Sequence, residues 1–238
     1  MAPIVMITRP EPEATALAAR LRAPDLRLVV SPLQEIRLHD IALPEDPFEV
    51  IFTSRNGVRA YARAGGRATR AWCVGDATAQ AARAAGLQAV SAGGDAEALL
   101  ALLLDQAPGA PLLHIRGAQH RGDLVARLSA AGLSARAIEG YAQAPLPATA
   151  EARQAMQGRA PVVAPVYSPG AARRLMAEWQ GDAPLLVAAI SPAAAEPLRA
   201  LAPRRCVIAA SPDGETMLSL LSGLIAAAHQ LEAEQGGV

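Results

Sequence analysis

Val50-Ile51-Phe52-Thr53-Ser54-Arg55-Asn56-Gly57-Val58 passes from an apolar, β-branched run into small polar residues and then into a helical pattern. An apolar run bounded by Ser and Thr reads as a buried strand ending where a helix is capped. Val163-Ala164-Pro165-Val166-Tyr167-Ser168-Pro169-Gly170-Ala171 repeats the transition further on. Two more blocks recur in the same order. Cys73-Val74-Gly75-Asp76-Ala77-Thr78-Ala79 resembles Ala189-Ile190-Ser191-Pro192-Ala193-Ala194-Ala195, and Asp95 before Leu99-Leu100 answers Asp213 before Met217-Leu218. Recurring blocks at similar spacing predict two related lobes.

Outward from these blocks, short apolar runs alternate with Ala/Leu/Arg-rich helical patterns, the signature of parallel sheets covered by helices. Strands are predicted at residues 4–8 and 26–31, then 50–53, 72–74, 89–91, 112–115 and 135–138, and finally 162–167, 185–190 and 206–209. Helices are predicted at 10–22, 58–64, 77–85, 97–105, 123–131, 171–179, 193–201 and 215–232, with Gly86 and Gly132 as left-handed caps. Residues 144–148 read as a Pro-rich linker. The middle strands complete one doubly wound lobe, while the first two strands and the last three complete another. The expectation is two similar flavodoxin-like α/β lobes with parallel sheets, one inserted in the other. Residues 1–34 with 147–238 form the first lobe and 35–146 the second, joined by a two-segment hinge near 31–37 and 139–147. Two crossings predict a hinged cleft.

Composition narrows the function. Of 238 residues, 52% are apolar but only two Trp, two Phe and three Tyr are aromatic, so the cores must be built from Ala, Leu, Val and Ile. Stacking platforms for nucleic-acid bases are scarce. Twenty-two basic residues balance 22 acidic ones, which leaves no global field toward DNA, RNA or an anionic membrane. Neither nucleic-acid binding nor membrane insertion is expected: residues 217–228 are too short to span a bilayer and the N-terminus lacks a signal-peptide pattern. Cys73 and Cys206 each lie in an apolar run without metal-ligand spacing, and they read as buried, reduced thiols of a cytoplasmic protein. Nucleophile-elbow, zinc-protease, P-loop and dinucleotide fingerprints are missing, and the absence of lysine excludes Schiff-base chemistry. His114 reads as a packed strand residue; His39, His120 and His229 read as surface or cap residues.

Small polar residues collect where predicted strands end: Thr53-Ser54, Gly75-Asp76 with Thr78, Arg116-Gly117, Ser168 and Ser191. Ligands bind at that edge of an open parallel sheet, where helix N-termini offer N–H groups to anions. The same residues also serve as plain helix caps. Arg9 and Arg116 follow strands and either anchor carboxylates or sit in solvent, whereas Arg55, Arg59 and Arg121 read as surface charges. Tyr141 falls at a crossing between lobes, either as a phenolic hydrogen-bond donor or as an aromatic plug.

In order and spacing, Ile7-Thr8-Arg9-Pro10, the block from Phe52 to Val58, Val74-Gly75-Asp76-Ala77-Thr78-Ala79 with Gly86, Ile115-Arg116-Gly117 with Gly132 and Tyr141, and Tyr167-Ser168-Pro169-Gly170 resemble the uroporphyrinogen-III synthase family over nearly the whole chain. The resemblance implies hydroxymethylbilane, a linear tetrapyrrole with eight carboxylates, as substrate and uroporphyrinogen III plus water as products. The route runs through an azafulvene and a spiro intermediate without metal or organic cofactor. It implies Tyr141 as the catalytic group assisting loss of the hydroxyl, with Arg9, Ser54, Asn56, Gly75, Thr78, Arg116, Gly117, Ser168 and Ser191 holding substrate, in a monomer. One departure stands out: Ser191-Pro192-Ala193-Ala194 replaces a family pattern of the form G-P-T-T, so a hydroxyl is missing at Ala194. A two-lobed binding or sensory protein for an acidic small molecule, or another enzyme of acidic metabolites, remains the alternative.

Overall fold

The computed structural model describes residues 2–21, 23–119 and 122–236, so Arg22, His120 and Arg121 lie outside the described residues. In chain order the elements are β1 (Ile4–Ile7), α1 (Glu13–Arg20), β2 (Arg27–Val30), β3 (Gln34–Leu38), β4 (Glu49–Phe52), α2 (Arg55–Arg63) and β5 (Arg70–Cys73). Next come α3 (Asp76–Ala84), β6 (Gln88–Ser91), α4 (Ala96–Gln106), β7 (Leu112–Gly117), α5 (Leu124–Ala130) and β8 (Ala135–Pro145). The chain ends with α6 (Ala150–Gln157), β9 (Val162–Val166), α7 (Pro169–Glu178), β10 (Leu185–Ala189), α8 (Pro192–Ala195) with a 3₁₀ turn Glu196–Leu201, β11 (Arg205–Ile208) and α9 (Gly214–Gly236). The chain divides into two compact units, Met1–Glu35 with Pro145–Val238 and Ile36–Ala144.

The first unit carries a sheet of order β11-β10-β9-β1-β2, parallel throughout. Alternation of side chains loads both faces. Ile4, Met6, Val162 and Val187 pack with α6, α7 and α8 on one side, and Val5, Ile7, Val163 and Leu186 pack with α1 and α9 on the other. Strands covered on both faces read as continuous apolar runs, which is why β9 and β10 were plain in the sequence.

The second unit carries a sheet of order β3-β8-β7-β4-β5-β6, in which the pairs from β8 through β6 are parallel. Val50, Phe52, Leu113 and Ile115 pack against α2 and α3, and Ile51, Trp72 and Leu112 pack against α4 and α5. Trp72 is wholly buried, and its indole N–H donates to Glu49 Oε2 at the start of β4. Gly86 and Gly132 take φ of +88° and +86°, left-handed values that suit the predicted helix ends. Asp95 and Asp213 both accept from N–H groups of the helices that follow them, which explains why they recur.

The two sheets share one spatial plan with a permuted chain order. Strands β9, β10 and β11 correspond to β4, β5 and β6, and β1 and β2 correspond to β7 and β8. Helix caps set the correspondence more finely than sequence does: Ser54 caps α2 as Ser168 caps α7, one residue out of step with the alignment that pairs Gly57 with Gly170.

Several expectations need correction. β3 was not anticipated: it pairs with β8, where the N–H of His39 donates to Gly140 O, and the N–H of Leu146 just beyond donates to Leu33 O. β8 itself runs through Pro145 into the stretch read as a linker, since Pro can end an edge pairing where its missing N–H is not needed. α6 was also missed, although Thr149 caps it by accepting from Ala152 N. Cys73 is buried as expected, but Cys206 is exposed, on the sheet-edge strand β11 where Val207 alone is partly covered. Both thiols are free. No helix among the described residues is long and apolar enough to cross a membrane.

Gly57 fixes how closely α2 approaches β7. A Cβ at this position would lie 2.5 Å from the backbone oxygen of Ile115, which cannot rotate away. Gly57→Ala is therefore expected to lower unfolding stability by about 1–3 kcal/mol, read as a lower urea midpoint; an unchanged midpoint would show that α2 can lift from β7 freely.

Candidate functional site

Open parallel sheets expose their ligand edge where the chain reverses its direction of strand addition. In the second unit β4 is followed outward by β5 and β6, while β7 and β8 lie on its other side, so the reversal falls between β4 and β7. A cavity of about 350 Å³ opens there. Thr53 leads from β4, His114, Arg116 and Gly117 come from β7, and Asp95 and Asp123 cap α4 and α5 around it, with Gln119 and Tyr141 completing the polar lining.

Tyr141 lines this cavity from beyond a β-bulge in β8, which turns its ring toward the start of α2. Arg116 pairs with Glu139 and Gly117 with Tyr141, which leaves Gly140 as an extra residue on β8. Without it, the alternation set by Ala135 would turn Tyr141 toward α4 and α5; the added residue reverses the alternation beyond Glu139. Gly140 is required by space, since a Cβ there would meet Ile115 Cγ2 at 2.6 Å and Ala60 Cβ at 2.9 Å. Gly117 gives the ring its seat, because its missing Cβ would fall 2.8 Å from Tyr141 Cε2 and 2.9 Å from Cζ. The phenol then hydrogen-bonds the hydroxyl of Ser54, which also accepts from Asn56 N at 3.1 Å. Burial pushes the Tyr141 pKa up, and the Ser54 bond offsets part of that rise.

Of the other residues singled out in the sequence, Asn56 accepts from Arg59 Nη1 at 2.9 Å, and Arg116 lies 3.5 Å from Glu139 Oε1. Gly75 begins α3 without a side-chain cap. Thr78 is buried and its N–H is already given to Gly75 O at 3.1 Å, which directs it away from solvent. Cys73, at the end of β5, is held protonated by burial, with its pKa pushed up to about 11. No group of three or more His, Cys, Asp or Glu among the described residues could hold a metal ion.

The first unit has its reversal between β1 and β9, and Arg9 and Tyr167 occupy it. The Arg9 guanidinium lies 3.8 Å from the centroid of the Tyr167 ring, and its charge restrains a Tyr167 pKa that burial raises. Arg9 also hydrogen-bonds the Tyr167 side chain, and a guanidinium has five N–H donors, so others remain for a carboxylate. Among the described residues Arg9 forms no ion pair with an acid, in contrast to Arg116. Ser168 accepts from Ala171 N at 3.1 Å and Ser191 from Ala194 N at 3.3 Å, so both act as caps at the same edge. Ala194, where the hydroxyl is missing, is wholly buried.

The structure thus brings Tyr141, Ser54, Arg116 and Gly117 together in one unit, and Arg9, Ser168 and Ser191 along the edge of the other. In the sequence Thr53 reads as a strand-end residue of the ligand edge without a role of its own, and His114 reads only as a packed strand residue; both line the cavity. His114 Nε2 lies 3.0 Å from Thr53 Oγ1. The available signal was a histidine spaced two residues before Arg116 in a strand otherwise made of Leu and Ile.

Residues 15–219 match the family model described as uroporphyrinogen-III synthase HemD. No curated protein sequence matches the chain. The solved uroporphyrinogen-III synthetase from Helicobacter pylori superimposes with a TM-score of 0.68 at 16% identity, covering 94% of this chain and 100% of that one. A mutant uroporphyrinogen III synthase from the extremely thermophilic bacterium Thermus thermophilus gives 0.55 at 18% identity, covering 97% and 99%. At such identities these two structures speak for the shared fold, and the family match speaks for descent. With two parallel sheets on one plan, a ligand edge at each reversal and a family match over most of its length, the chain belongs to the uroporphyrinogen-III synthase family of cyclising lyases in tetrapyrrole biosynthesis.

Proposed function

We propose that this chain cyclises hydroxymethylbilane to uroporphyrinogen III with Tyr141 as the group that assists departure of the hydroxyl, and that the two strand-reversal edges hold the substrate's acidic side chains. The observation that carries this reading is the bulge-directed phenol of Tyr141, seated on Gly117 and lining the cavity beside β4 and β7.

In the reaction the carbon–oxygen bond of the hydroxymethyl group breaks and the oxygen leaves as water with the bonding electrons. The phenol supplies its proton as the oxygen departs, and a pyrrole nitrogen lone pair fills the deficit to give the azafulvene. The substituted α-carbon of the terminal ring attacks to form the spiro intermediate, and the original bond from that carbon to its methylene bridge breaks to leave an azafulvene on the neighbouring ring. That methylene bonds the terminal ring's other α-carbon instead, so the ring is inverted and the proton lost from that carbon restores the phenol. A phenol with a pKa raised by burial stays protonated below its ordinary value of about 10. The donor is therefore present throughout the neutral range and is lost only in strong alkali.

Holding the chain ends in register is the larger share of the task, because the unassisted closure gives the unrearranged isomer. Arg9, stacked and without an acidic partner among the described residues, suits a substrate carboxylate, and the uncapped start of α3 after Gly75 offers N–H groups of the same use. Arg116, already beside Glu139, ranks behind Arg9 in this role. A reducing cytoplasm suits the two free thiols.

Tyr141→Phe is expected to fold normally and lose turnover by about 100-fold or more; unchanged turnover would remove the phenol from the mechanism. Gly117→Ala should displace the ring and lower kcat while secondary structure and KM are held, and a variant with full kcat would show that the seat is dispensable. Arg9→Ala is expected to raise KM by roughly tenfold or more with kcat nearly unchanged, the size of one charge-assisted hydrogen bond; an unaltered KM would place Arg9 outside the substrate site.

A further inference from the structure

His114 and Thr53 line the cavity beside Tyr141 and have no part in the mechanism above. His114 is only 6% exposed, on the β7 face that carries Leu112, and its Nε2 lies 3.0 Å from Thr53 Oγ1. An imidazole on an apolar strand face needs a hydrogen bond to offset its desolvation, where a leucine would pack without one. Among the described residues, the charged groups lining the cavity are Arg116, Asp95 and Asp123. Arg116 lies 3.5 Å from Glu139, which offsets its charge. Asp95 and Asp123 cap their helices through Oδ1 alone, and Oδ2 of each accepts no bond among the described residues.

Such a lining disfavours an acetate or propionate and suits a group that donates an N–H and gains positive charge. The hydroxymethyl-bearing pyrrole is such a group: its nitrogen becomes cationic as the hydroxyl leaves. We infer that the cavity seats this ring and that Thr53, held by His114, accepts the pyrrole N–H and strengthens that bond as the azafulvene forms. The Thr53 hydroxyl donates to His114 Nε2, which turns the oxygen lone pairs toward the ring. As the nitrogen gains charge, the linked bonds from pyrrole to Thr53 to His114 polarise together. Thr53 contacts substrate, and His114 is a positioning residue acting through it. This rests on the cyclisation reading proposed above.

The test is steady-state kinetics with hydroxymethylbilane on wild type, Thr53→Val, His114→Phe, His114→Gln and the Thr53→Val/His114→Phe double variant. Thr53→Val keeps the side-chain shape and loses only the hydroxyl. It is expected to lower kcat by about 10- to 100-fold with little change in KM, because the bond matters most when charge develops. His114→Gln, whose amide oxygen can accept from Thr53, should recover most of the activity lost in His114→Phe, and the double variant should be no worse than Thr53→Val alone. A raised KM with unchanged kcat in Thr53→Val, or additive losses in the double variant, would overturn the inference. If His114→Phe fails to fold, the kcat-to-KM split of Thr53→Val decides alone. A wild-type protein that forms no uroporphyrinogen III would overturn the cyclisation reading itself, a result distinct from an active wild type whose Thr53→Val variant keeps its kcat.

Discussion

One extra residue in β8 governs the geometry around the cavity of the second unit. Gly140 interrupts the pairing of β8 with β7, so that Glu139 still faces Arg116 while Tyr141 faces Gly117. Three close approaches depend on glycine here: Gly57 under α2, Gly140 at the bulge and Gly117 beneath the phenol. Each lets one surface come nearer than a Cβ permits, and together they bring the start of α2, the end of β7 and the Tyr141 hydroxyl to one point. The Tyr141–Ser54 hydrogen bond follows from that approach.

The two units use one plan for different ends. Arg9 just beyond β1 and Arg116 near the end of β7 occupy matching places, yet Arg9 is stacked on Tyr167 without an acidic partner among the described residues, while Arg116 lies beside Glu139. Thr78 and Ala194 likewise match after β5 and β10, and both are buried. Ser168 and Ser191 cap their helices in the unit that lacks this hydroxyl, so its replacement leaves the edge caps in place.

Much of the fold was legible because strands buried on both faces are continuous apolar runs: Val162–Val166 and Leu185–Ala189 could scarcely be anything else. β3 was not, since Gln34–Leu38 mixes polar and apolar residues at a sheet edge where one face is solvated. α6 was masked by the prolines before it. At the site, Tyr141, Ser54 and Arg116 were legible from strand-end chemistry, but the bulge that aims the phenol was not, because a single Gly in Glu139-Gly140-Tyr141 reads equally as a strand end. Thr53 and His114 become neighbours only through the β4–β7 pairing, which no local pattern reveals.

Inversion of a pyrrole ring separates a synthase from a protein that only binds the bilane. Freshly made hydroxymethylbilane supplied to the purified protein, followed by oxidation and separation of the uroporphyrin isomers, tests that directly. Predominant type III isomer, formed faster than in a protein-free control, is the predicted result; type I isomer alone, at the control rate, would contradict it.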